Sequence, residues 1–156
     1  MLGLGNGPRF WAVVTAATLV AALTANASPV PDPIVDAMKA RLASASVRDR
    51  PHLCVQIAEY QLAETDKLYA AVEVEQAQAT LTDVVAYSEL ARDYAIQSHK
   101  YQKQSEIAVR VMTRKLTEIM HALAHDDQAP VREAINRLQR VRDDLLAAMF
   151  PNGVKK

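Results

Sequence analysis

Between Gly7 and Gly153 the chain contains no glycine. That gap constrains the fold more than any motif does, because tight strand-to-strand turns rely on glycine for backbone at positive φ. A chain that reverses direction without glycine does so most readily between helices, so the expectation is an all-α protein. The stretch from Glu75 to Ala124 lacks proline as well. From Ala77 its apolar seam reads Leu81, Val84, Ser88, Ala91, Ala95, Ser98, Gln102, Ser105, Val109, Met112, Leu116, Ile119 and Leu123, in alternating steps of four and three. Such a seam predicts one long, coiled-coil-like central helix over about 75–124, roughly 75 Å long at ~1.5 Å per residue.

The flanking segments carry ordinary helix signals. Asp32 before Pro33 predicts an N-cap with proline at the first helical position, opening a helix over Pro33 to about Ala45. Asp49 and Pro51 open a second helix, about Arg50 to Ala71, with Val55, Ala58, Leu62, Thr65, Tyr69 and Val72 at three-four spacing. A break at Val72-Glu73-Val74 separates it from the central helix; the apolar register shifts there, and Glu73 and Glu75 suit a helix start. After Asp126 and Asp127, Pro130 lies in the first turn of a last helix whose stripe is Val131, Ala134, Leu138, Val141, Leu145 and Ala148. Pro151 and Gly153 stop it. The domain therefore spans 33–150, preceded by an extended proline-rich lead at 28–32 and followed by a frayed tail at 151–156.

Relative helix lengths suggest the arrangement. Folded back on the central helix, the second helix reaches roughly to Ala95 and the last one roughly to Ser105. The uncovered part coincides with the polar seam of Ser98, Gln102 and Ser105, so the expected architecture is elongated, with an antiparallel helical hairpin at each end of one rod. The alternative is a sharp turn near His99 to Gln104 that folds the chain into a compact four- or five-helix bundle. In the rod, the C-terminal hairpin has only two helices and leaves Val109, Met112, Leu116, Ile119, Leu123, Leu138, Val141 and Leu145 as an interface for a second copy or another envelope protein.

Residues 1–27 have the make-up of a secretory signal: Arg9 near the amino end, an apolar run from Phe10 to Leu23, and Ala25-Asn26-Ala27 as a small-x-small cleavage site. The protein is thus expected to be exported, to the periplasm or outside the cell. Were the segment retained, Phe10 to Ala27 would be near the minimum length of a membrane anchor, making a membrane-tethered spacer. Cys54 is the sole cysteine. It lies beside the apolar face of the second helix and is expected to be a buried thiol.

Few constellations suggest chemistry. Glu118, His121 and His125 stand at i, i+3 and i+7, a spacing that on a continuous helix could hold a transition metal, as in an exported metal sensor or chaperone. Otherwise these histidines simply suit a helix C-terminus. No cofactor motif or catalytic triad spacing is present, which argues against an enzyme. Lysines and arginines equal aspartates and glutamates, giving no reason to propose a nucleic-acid partner. Locally the charges separate, with acids in excess from Glu59 to Asp93 and bases in excess past Lys100. That pattern fits head-to-tail association, an anionic surface, or solvated helix faces. Tyr60, Tyr69, Tyr87, Tyr94 and Tyr101 fall on or beside the stripes and are expected to pack their rings. Tyr69 to Ala77, followed by Leu81, shares features with a tetratricopeptide unit. Thr65, however, stands where a small residue belongs and no second copy follows at the repeat period, so no family is assigned.

Overall fold

The structure, a computed structural model, describes residues 31–153, and all the regular elements among them are helical. The signal-like segment, most of the proline-rich lead and the last three residues lie outside the described part. Helix α1 (Pro33–Ser44) starts where expected: the Asp32 carboxylate accepts a hydrogen bond from the Ile34 amide at 2.8 Å, and proline takes the position whose N–H would have had no partner. Helix α2 (Arg50–Ala70) follows a short turn. Asp49 precedes it but makes no side-chain capping bond there; its carboxylate accepts from the Ser46 hydroxyl instead.

Helix α2 ends in a Schellman turn. The Glu73 amide donates to the Leu68 carbonyl and the Val72 amide to the Tyr69 carbonyl, placing Val72 at the left-handed position with φ 62°. Helix α3 (Val74–Ser98) then runs back along α2. The two are joined by the Thr65 and Thr80 hydroxyls at 2.8 Å, by the Gln61 amide donating to Asp83 at 2.9 Å, and by Arg50 reaching Tyr94.

The long central helix is not continuous. It stops at Ser98 and restarts as α4 (Gln102–Ala122), with His99 at φ 55° and Tyr101 at φ 60° making the bend. The compact alternative is therefore the architecture, and the bend falls on the polar part of the seam. Each left-handed L residue costs roughly 1–2 kcal/mol. Against that, each aliphatic side chain carried from water into a core returns roughly 1.5–3 kcal/mol. Val109, Met112, Leu116, Ile119, Leu138, Val141 and Leu145 are all at most 4% exposed. The bend is the smaller term, so the chain folds on itself.

A 3₁₀ turn at His125–Asp127 leads into α5 (Gln128–Met149), which returns along α4. Arg142 donates to Glu106 across this second hairpin at 3.0 Å. The hairpins lie side by side with α2 beside α4 and α3 beside α5. His52 meets Tyr101 and Asp66 meets Lys115, so α2 and α4 run parallel; Glu89 with Arg137 and Arg92 with Asp144 show the same for α3 and α5. One core, including Leu62, Leu81, Val84, Met112, Leu116, Leu138 and Leu145, spans both hairpins. Helix α1 packs antiparallel on α2, with Tyr60 donating to Asp32 at one end and Arg50 donating to the Ala45 carbonyl at the other.

The residues expected to form a partner interface are therefore the chain's own core. Helices α2 and α3 cover them, and only Leu123, partly buried, sits at the edge. The separated charges also find partners within the chain. Acids of the first hairpin pair with bases of the second through Asp66–Lys115 at 2.8 Å and the two-pronged Glu89–Arg137 contact at 2.8 and 3.0 Å.

Candidate interaction groove

Where α2 and α4 run side by side, their outward residues frame a groove of about 470 Å³. The seam positions of α4 turn inward, which leaves Ile107 and Val111, one turn apart on its other side, 40% and 47% exposed. Leu62 and Met112 form the floor, and Ala63 and Val111 the apolar walls. The rim carries both signs of charge, with Glu59, Asp66 and Glu118 against Lys67, Arg114 and Lys115. Lys115 and Asp66 close one crossing; the Asp66 carboxylate accepting from the ammonium, and its charge, hold the Lys115 pKa above the ordinary lysine value. A trough of apolar floor with rim charge of both signs can take an amphipathic helix, whose apolar stripe fills the floor while its flanks meet the rim.

A larger cleft of about 590 Å³ lies between α1, α2 and α3. Several of its polar groups are matched to one another. Asp83 accepts from Gln61 at 2.9 Å and from Lys39 at 3.4 Å, and Asp32 accepts from Tyr60 at 2.8 Å. Lys39 also sits over the Tyr87 ring, 5.7 Å from its centre. These contacts seat α1, and the cleft is best described as the gap beneath it.

The metal triad expected from spacing does not assemble. Helix α4 ends at Ala122, and Leu123 and Ala124 are extended with ψ of 153° and 150°, so the helical phase linking Glu118 and His121 to His125 is lost. Glu118 lies on the groove rim, His121 is exposed in the last turn of α4, and His125 is exposed in the 3₁₀ turn. Among the described residues no group of three or more His, Cys, Asp or Glu side chains is placed to hold a metal.

Cys54 is fully buried beside Val55, Ala91 and Ala108, and burial pushes its thiol pKa up to about 11. At neutral pH it is a protonated, unreactive thiol. The tyrosines divide. Tyr60, Tyr87 and Tyr94 place their hydroxyls or rings against charged neighbours, Tyr101 stacks on His52, and Tyr69 is buried with its hydroxyl lacking a partner among the described residues. Among the described residues, no helix is long and apolar enough to cross a membrane.

Neither Ile107 nor Val111 stands out in the sequence, because both lie off the three-four seam among charged residues. The cue that was there is the pair itself, two β-branched residues four apart on an otherwise hydrophilic face. Comparison of the chain with protein-family models, with curated proteins and with solved structures finds no match.

Proposed function

We propose that the protein is an exported helical interaction module that holds an amphipathic helix of a partner in the groove between α2 and α4. The observation that carries this reading is the exposed Val111 beside the Leu62 and Met112 floor, with rim charges of both signs and exposed Ile107 one turn away on the same helix. Exposed apolar side chains in a line, bordered by charge, match helix-in-groove recognition better than they match an active site. Export is supported by the Phe10 to Ala27 segment and its small-x-small end.

A photo-crosslinking amino acid at Val111, introduced in the native host, tests the partner surface. A discrete adduct is expected from position 111 and none from Gln139, which is exposed on α5. Val111→Glu, being exposed, should leave stability within about 0.5 kcal/mol and abolish an adduct formed from position 63. Equal adducts from 111 and 139 would remove the groove from consideration. Export is read separately, by whether the chain recovered outside the cytoplasm begins at Ser28.

A further inference from the structure

The connection between α3 and α4 is only His99, Lys100 and Tyr101, and two of these three hold left-handed backbone without being glycine. A side chain in that region crowds its own carbonyl, so the bend is strained. The three-four seam nevertheless passes through it unbroken, from Ala95 through Ser98 and Gln102 to Ser105. These residues therefore have a second, unstrained conformation available: one continuous helix from Val74 to Ala122. Straightening would carry the α4–α5 hairpin off its seat on α2 and α3, and only another copy of the chain presents an identical seat.

We infer that the protein can exchange its α4–α5 hairpin with a second copy, giving a twofold dimer in which α3 and α4 form one helix. The contacts between the hairpins are the transferable kind. Asp66–Lys115, Glu89–Arg137 and Arg92–Asp144 all lie on the bodies of the helices rather than in the bend, as does the shared core, so each re-forms between copies. What straightening gives up lies at the bend: the Lys100 amide's contact with the Ser98 hydroxyl at 3.3 Å, the stacking of Tyr101 on His52, and the left-handed geometry itself. With the twofold axis near Lys100, Ser98 of one copy stands opposite Gln102 of the other, two polar side chains able to bond at a seam too polar for an apolar core. Short strained hinges favour such exchange, and its extent rises with concentration by mass action.

The test uses the full chain in three forms: unaltered, with His99→Ala and Tyr101→Ala together, and with His99→Gly and Tyr101→Gly together. Alanine favours the continuous helix and glycine relieves the bend. Light scattering across a concentration series should show self-association on the order of a thousandfold tighter for the alanine pair than for the glycine pair, because four bend residues per dimer change together. Exchange is then separated from ordinary dimerisation by placing Asp66→Cys and Lys115→Cys in a Cys54→Ala background and bridging them with a short bis-maleimide. In the isolated dimer the bridge should join two chains on a denaturing gel, and in the monomer it should close within one. A dimer bridged within chains, an alanine pair that stays monomeric throughout, or equal association of the alanine and glycine pairs would each overturn the inference. Should the alanine pair fail to fold, the same bridge is read on the unaltered hinge at the highest concentration, where bridges confined to single chains also overturn it.

Discussion

His52, in the first turn of α2, stacks on Tyr101 at the mouth of α4, with ring centres 5.6 Å apart and planes 23° apart. Further along the same two helices Asp66 pairs with Lys115 at 2.8 Å, and the residue numbers differ by the same amount in both pairs. Helices α2 and α4 are thus parallel and in register along their length, which is what opens a straight groove between them. Parallel neighbours in an up-and-down chain require two hairpins stacked side by side, and the three-residue bend at 99–101 is the connection that allows it.

Val72 occupies a left-handed helix-ending position that glycine ordinarily takes, and it is 80% exposed, so little packing compensates for it. Val72→Gly should raise stability by about 1 kcal/mol, seen as a higher urea midpoint at unchanged slope. Val72→Ala retains a Cβ and should recover only part of the gain. A lower midpoint for the glycine variant would show that Val72 packs on something in solution.

The Tyr69 hydroxyl is buried and has no hydrogen-bond partner among the described residues. Burial, and then the charge of Asp127, pushes its pKa upward. Removing an unsatisfied buried hydroxyl relieves a desolvation cost, so Tyr69→Phe should be neutral or stabilising by up to about 1 kcal/mol in denaturant unfolding. A loss larger than that would mean the hydroxyl bonds an ordered water.

Glu106 has a side chain only 10% exposed, and it takes a hydrogen bond from Arg142 at 3.0 Å, with Arg110 more distant at 3.8 Å and 58% exposed. Arg142→Ala leaves that carboxylate with its weaker partner and should cost about 1.5–3 kcal/mol. Arg110→Ala removes a solvent-screened helix-surface pair and should cost a few tenths of a kcal/mol, roughly. Equal losses in a thermal melt would contradict this ordering.

Asp32 fastens the start of α1, and the hydrogen bond donated by Tyr60 holds its carboxyl below the ordinary value of 3.8. The folded pKa is depressed, so the stabilisation is complete above 3.8 and disappears as pH falls through the lower, folded value. Hydrogen exchange in α1, corrected for intrinsic rates, should therefore accelerate relative to α5 on acidification below that value. Tyr60→Phe should weaken this acid response by removing the main cause of the depression. An acid response of the same size in both proteins would mean the Asp32–Tyr60 bond does not form in solution.

Much of the molecule was legible in the residues. Helix starts at Pro33 and Arg50, the break before Val74, the buried Cys54 and most of the apolar stripes of α2 to α5 follow from periodicity, capping and proline placement, all of which are local physics; Val72, read as part of the α2 stripe, lies exposed in the turn instead. The metal spacing of Glu118, His121 and His125 failed for a local reason as well, since it assumed a helix that in fact ends at Ala122.

Local pattern alone established that the chain is all-helical, where most of its helices begin, and which of their faces must leave water. It could not say what covers those faces. The seam of Val109, Met112, Leu116 and Ile119 reads identically whether its cover is another chain or the same one, because burial is set by apolar area and not by the identity of the neighbour. The packed fold settles it, by holding His99 and Tyr101 in left-handed backbone that contacts between the hairpins offset. Strain at two backbone positions is small beside the apolar surface it brings together, and that balance exists only once the hairpins touch.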